Sequence, residues 1–119
     1  MKILLTGGAG FIGSHLVRRL LARPEHQVIN LDALRYSGNL ANLESVRQHP
    51  RYRFVQGDIC DQPLVESVIR DHQIDGVINC AAETHVDRSI LDPGSFARTD
   101  VVGTGVLLEA ARQAGVRRF

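Results

Sequence analysis

Short apolar runs alternate with longer amphipathic stretches along the whole chain. Ile3-Leu4-Leu5, Val28-Ile29 and Val77-Ile78 are unbroken apolar segments, the pattern of strands buried on both faces. They predict strands over about 2–6, 27–32 and 75–80, with a further strand over 52–56. Ile12, Leu16, Val17, Leu20 and Leu21 recur at helical spacing and predict a helix over about 11–22, ended by Pro24. Leu40, Leu43 and Val46 predict a short helix stopped by Pro50. Asp61 reads as the N-cap of a third helix, with Pro63 in its first turn and Leu64, Val65, Val68 and Ile69 on its apolar face. Asp92-Pro93 opens a longer helix through Phe96, Thr99, Leu107 and Leu108 that ends near Gly115. Residues 116–119 read as the entry to a fifth strand.

Strands that alternate with helices in this way are joined by right-handed crossovers and lie parallel. The expected fold is α/β, a partial doubly wound parallel sheet of strand order 3-2-1-4 that ends at the start of strand 5. No internal repeat, low-complexity tract or linker interrupts it.

The turn after the first strand carries the strongest chemical signal. Thr6-Gly7-Gly8-Ala9-Gly10-Phe11-Ile12-Gly13 runs from a strand into a helix. Gly8, Gly10 and Gly13 fit G-x-G-x-x-G, and Gly7, Gly10 and Gly13 fit a wider G-x-x-G-x-x-G. In either reading one glycine makes the tight turn and one lets backbone approach a phosphate. Gly13 lets the helix pack closely on the strand. Free amides and the positive end of the helix dipole then face an anion, which makes a dinucleotide the first ligand to consider.

Asp32 is the second signal. It ends the second strand 19 residues after Gly13, near the ~20 expected of the acid that holds an adenosine ribose. A carboxylate there repels a 2′-phosphate, so NAD(H) is expected rather than NADP(H). Arg35, just past this strand, leaves pairing with a 2′-phosphate open. Gly57-Asp58-Ile59 follows the third strand, where Asp58 suits an adenine amine and Ile59 an adenine face. Cys80-Ala81-Ala82-Glu83-Thr84 follows the fourth strand, at the sheet edge where open α/β folds bind ligands.

Bulk composition narrows the class. The chain has 119 residues, 44% of them hydrophobic and 23% charged, with a net charge of +1. That length is about one domain or less. Nothing favours a nucleic acid or membrane partner. No apolar run reaches the ~20 residues of a spanning helix, and no signal-peptide layout is visible. Cys60 and Cys80 have no metal-ligand spacing, so no metal is expected, and a reducing, cytoplasmic setting fits.

Taken together, the strings T-G-G-A-G-F-I-G-S-H, L-D-A-L-x-Y-S-G-N, G-D-I-C-D, A-A-E-T-H-V-D-R-S-I and T-D-V-V-G-T resemble the extended short-chain dehydrogenases/reductases. More narrowly they resemble the dTDP-glucose 4,6-dehydratase family, over the whole of residues 1–119. That resemblance implies NAD as cofactor. Phe11 and Ile12 would cover its pyrophosphate. Asp32, Ala33, Leu34 and Arg35 would surround the ribose, and Asp58 and Ile59 would hold adenine. Cys80, Ala81, Ala82, Glu83 and Thr84 would line the path to the nicotinamide, with Thr84 also near the sugar substrate, and Thr99 would pack near the cofactor. It also implies a dTDP-glucose substrate and a homodimer in the full-length protein. A GDP-mannose or UDP-sugar dehydratase or epimerase and a non-catalytic NAD-sensing module are the alternatives.

Family chemistry is a hydride cycle. C4 of the glucose is oxidised, water leaves across C5 and C6, and the hydride returns to C6. A Tyr-x-x-x-Lys tyrosine serves as base and an Asp-Glu pair performs the elimination. Lys2 is the only lysine among the 14 Lys and Arg residues, and Leu40 and Gln56 stand four places after Tyr36 and Tyr52. These 119 residues therefore contain no such motif. The chain reads as the N-terminal part of an NAD-binding domain, without catalytic residues of its own. It departs from the family at Arg35, usually Thr, and at Asp100, usually Asn, where a donated hydrogen bond is expected to be lost or rearranged.

Overall fold

A computed structural model describes residues 1–83 and 90–119. Four strands, β1 (Lys2–Thr6), β2 (Gln27–Asp32), β3 (Tyr52–Gln56) and β4 (Gly76–Asn79), form a parallel sheet of order β3-β2-β1-β4. Helix α1 (Phe11–Leu21) and a 3-10 segment (Leu40–Val46) lie on one face. On the other lies helix α2 (Gln62–His72), and beside it, after a single-turn α3 (Pro93–Phe96), lies α4 (Thr104–Gln113). The strand side chains alternate between the two layers. Leu4, Ile29, Leu31 and Val77 pack with Val65, Val68, Ile69 and Leu107. Leu5 and Val28 pack with Val17, Leu21, Leu43 and Val46. Both faces are covered, which is why these strands read as continuous apolar runs.

Local chemistry sets the element ends. Asp61 Oδ1 accepts the Leu64 N–H at 3.1 Å, the expected N-cap of α2. Asp92 likewise accepts the Ser95 N–H at 3.1 Å and caps α3. The short helix over 40–46 is 3-10 rather than α, capped by Asn39, whose side chain accepts the Ala41 N–H at 2.9 Å. The C-terminal end of α1 is held by Arg51. Its guanidinium donates to the carbonyls of Leu21, Arg23 and His26 at 2.6–2.8 Å, a cation where the helix dipole favours one.

Two expectations are refined. The helix predicted to begin at Asp92-Pro93 is not uniform. A π-helical stretch, Ala97–Gly103, separates α3 from α4. At its end the Thr104 hydroxyl donates to the Asp100 carbonyl at 2.7 Å, and Gly103 presses on Ile59, where an added Cβ would stand 2.5 Å from that side chain. Residues 116–119 do approach the sheet. Arg118 makes a parallel bridge to Gly76, and the Val77 N–H donates to the Arg118 carbonyl at 2.9 Å. The last residues thus run beside β4 as a single bridge, not yet a strand. Among the described residues, no helix is long and apolar enough to cross a membrane.

Candidate dinucleotide site

The carboxyl edge of the sheet opens into a cavity of about 370 Å³, within the range of small-molecule sites. Its walls come from every strand end. The β1 turn contributes Gly7, Gly10, Phe11, Ile12 and Gly13; the β2 end, Asp32, Ala33 and Arg35; the β3 end, Asp58 and Ile59; the β4 end, Cys80, Ala81, Ala82 and Glu83; the π-helical stretch, Thr99. Of the residues singled out in the sequence, Leu34 is not among the walls. It has a left-handed backbone (φ 53°) and its side chain packs against the cluster under α1. Its contribution at the site is its backbone N–H, which donates to Asp32 Oδ1 at 2.8 Å. Thr84, with the rest of the T-H-V-D-R-S string, lies outside the described residues.

Three glycines of the turn have three different reasons. Gly7 has φ +70°, and a Cβ there would stand 2.7 Å from the Cys80–Ala81 backbone. Gly13 is needed by packing, since its Cβ would collide with the Gly7 carbonyl and stand 2.8 Å from Gly8 Cα. The close approach at Gly13 is to the glycine turn itself, not to the strand as the sequence suggested. Gly10 is different. Its φ of −78° suits any residue, and an added Cβ would be 3.3 Å from its nearest neighbour. That neighbour is the Gly7 carbonyl oxygen, so the contact is tight, but the demand for glycine is weaker at position 10 than at positions 7 and 13. Gly8 does not line the cavity and is pressed against Asn30. The cavity therefore uses the Gly7-Gly10-Gly13 spacing.

Helix α1 begins at this turn with no side-chain cap. Its first-turn amides have no partner within the helix, and the residues that carry them line the cavity at the positive end of the dipole. The turn is held from below by two β2 side chains. The fully buried Asn30 accepts the Gly8 N–H on Oδ1 at 3.0 Å and donates from Nδ2 to the Tyr52 hydroxyl at 3.0 Å. Asp32 accepts the Ala9 N–H on Oδ2 at 2.8 Å. Burial pushes the Tyr52 hydroxyl pKa up, and it stays a neutral acceptor. Asn30 was missed in the sequence. The available signal was a polar residue in the middle of Val28-Ile29-Asn30-Leu31, a strand otherwise apolar.

A second network fixes the far wall. Thr6 Oγ1 donates to Asn79 Oδ1 at 2.5 Å and accepts the Ala81 N–H at 3.2 Å. Asn79 Nδ2 donates to the Thr104 hydroxyl at 3.2 Å, which joins β4 to α4. Asp100 Oδ1 accepts the Glu83 N–H at 2.9 Å. The Asp100 carboxylate thus serves this wall as a hydrogen-bond acceptor. Burial raises the pKa of the Cys80 thiol, leaving it a neutral, unreactive part of the wall. Cys60 is raised too, first by burial and then by Asp58. Among the described residues, no group of His, Cys, Asp or Glu is arranged to hold a metal.

The sequence profile of the family described as GDP-mannose 4,6 dehydratase matches residues 4–119. A dTDP-glucose 4,6-dehydratase of Escherichia coli (strain K12) is 52% identical over 112 residues, covering 94% of this chain and 31% of that protein. The chain spans about a third of the length of the curated relatives it matches. A crystal structure of dTDP-glucose 4,6-dehydratase from Streptomyces venezuelae with NAD bound superposes with a TM-score of 0.92. It is 51% identical and covers 98% of this chain and 37% of that one. A Thermus thermophilus UDP-glucose 4-epimerase in complex with NAD gives 0.87 at 38% identity, covering 98% and 35%.

Proposed function

The chain belongs to the GDP-mannose 4,6 dehydratase family, and from that membership we propose that residues 1–119 are the NAD-binding portion of a sugar-nucleotide dehydratase. The substrate we propose is dTDP-glucose, converted to dTDP-4-keto-6-deoxyglucose and water. The family name and the names of the curated relatives differ in the sugar nucleotide. The relatives near 50% identity are dTDP-glucose 4,6-dehydratases, and they support the thymidine sugar. The observation that carries the cofactor reading is the uncapped start of α1 at Gly10, where the backbone of residues 10–13 lines the cavity and the fold constrains Gly10 less than Gly7 or Gly13.

The residues fit a dinucleotide. The amides of Phe11, Ile12 and Gly13 would face the pyrophosphate. Asp32 has two oxygens, each accepting one backbone N–H, and each retains a lone pair for a ribose hydroxyl. Asp58 and Ile59 would border adenine. Ala81, Ala82 and Glu83, tethered through Thr6 and Asp100, would shape the passage to the nicotinamide. When bound, NAD supplies a reversible hydride acceptor. What this part of the chain does is bind it, orient it against the β4 wall and exclude water with Cys80, Ala81 and Ile59. We extend the proposal to a cytoplasmic homodimer. Unpaired Cys60 and Cys80 support the reducing compartment, and exposed Val101, Val102 and Leu108 near or on α4 support a covered helix face.

Incubating the full gene product with dTDP-glucose and NAD should give a sugar nucleotide lighter by one water, read by mass spectrometry. NAD binding without that product would leave a non-catalytic module instead. Cofactor choice tests Asp32 separately. Asp32→Asn keeps one acceptor for the turn but removes the charge, so the preference for NAD over NADP should fall at least about tenfold. An unchanged ratio of dissociation constants would show that Asp32 is not the selector.

A further inference from the structure

Three side chains from three loops meet across the mouth of the cavity. Arg35 follows β2, Asp58 follows β3 and Glu83 follows β4. Arg35 Nη2 lies 2.6 Å from Asp58 Oδ2, and Nη1 lies 3.6 Å from Glu83 Oε1. The Arg35 side chain is about half exposed, while Glu83 is only 16% exposed. All three line the cavity. On the reading that this cavity takes NAD, we infer that Arg35 is a specificity-determining residue for the base: it bridges Asp58 and Glu83 and so orients the Asp58 carboxylate to accept the exocyclic amine of adenine.

The geometry of Asp58 carries the argument. Its Oδ1 accepts the Cys60 N–H at 2.8 Å and its Oδ2 accepts from Arg35. Two donors in fixed positions set the plane of the carboxylate. Each oxygen still has a free lone pair. Ile59, the next residue, is buried beside it and offers an apolar surface to a ring. A planar guanidinium suits a bridge between two carboxylates in a way a lysine ammonium does not. Among the described residues that line the cavity, Arg35 is the one cation, against Asp32, Asp58 and Glu83. The polar rim is therefore rich in acceptors. It suits a base that presents an amine and penalises one that presents a carbonyl oxygen in its place. The same pairing means that Arg35 is already engaged by two carboxylates, so it offers a 2′-phosphate little.

The test compares NAD with nicotinamide hypoxanthine dinucleotide, which carries an oxygen where adenine carries the amine. Dissociation constants are measured on the full gene product and on its Arg35→Ala and Arg35→Lys variants, with melting temperatures as a check on folding. The unaltered protein should prefer NAD by at least about tenfold, the usual scale for a hydrogen bond to a charged group. In both variants that ratio should fall to within about threefold. A ratio unchanged in Arg35→Ala, or restored in full by Arg35→Lys, overturns the bridging role. Tight NAD binding with no preference in the unaltered protein overturns the Asp58 contact. Failure of the unaltered protein to bind either dinucleotide sinks the NAD reading itself.

Discussion

Gly13→Ala should unfold the start of α1 or abolish dinucleotide binding outright. The added Cβ would collide with the Gly7 carbonyl oxygen and stand 2.8 Å from Gly8 Cα. Both are backbone atoms of the turn, so no side chain can move aside. Alanine gains roughly 1 kcal/mol over glycine inside a helix, but overpacking against backbone sits at the upper end of the usual cost of about 1–3 kcal/mol. The net expectation is a loss of about 2 kcal/mol or more, read as a lower urea midpoint. Any protein that remains folded must have moved α1 away from the turn. Its NAD dissociation constant should then rise at least about a hundredfold, because a shift of an ångström spoils an anion site built from fixed amides. Stability and affinity both unchanged would mean that the close packing of Gly13 on Gly7 does not exist.

Asn30→Ala should have a comparable effect for a different reason. Asn30 is fully buried in β2 and serves two groups, the Gly8 amide and the Tyr52 hydroxyl. Truncation orphans both and leaves a small void. Each unsatisfied buried group costs about 1–3 kcal/mol, so a loss of about 3 kcal/mol is expected in urea unfolding. The double variant Asn30→Ala/Tyr52→Phe should recover about 1 kcal/mol of it, since the orphan hydroxyl is gone. No recovery would mean that the Tyr52 contact adds nothing. NAD affinity should stay at least about tenfold weakened in the double variant, because Gly8 remains untethered. An affinity equal to that of the unaltered protein would separate Asn30 from the site.

These two positions also show what the sequence disclosed and what it withheld. Gly13 was legible because its spacing from Gly7 and Gly10 matches a strand, a turn and a helix, three local patterns that agree. The parallel sheet followed from alternation, its order from the dinucleotide-type glycine turn after the first strand, and the caps at Asp61 and Asp92 from residue type and the nearby prolines. Asn30 was not legible as a support, because its partners are 22 residues away in either direction. A polar residue within an apolar strand announces a partner without naming it. The π-helical stretch was hidden for a similar reason. Its wider turn rests on Gly103 against Ile59 and on the Asp100–Glu83 tether, both tertiary contacts. Arg35 illustrates the same limit. As a sequence it was a departure near the ribose, and only folding showed two carboxylates on either side of it.

The account rests on a ligand lying against the uncapped start of α1 at Gly10. Calorimetric titration of NAD into the full gene product and its Gly10→Val variant tests this directly. The unaltered protein should bind one NAD per chain. The variant should still fold, since φ at position 10 already suits valine, with a melting temperature lowered by several degrees by the Cβ contact at 3.3 Å from the Gly7 carbonyl and the poorer N-cap, and should lose at least about a hundredfold in affinity. A folded Gly10→Val protein that binds NAD as tightly as the unaltered one would contradict the assignment of this cavity.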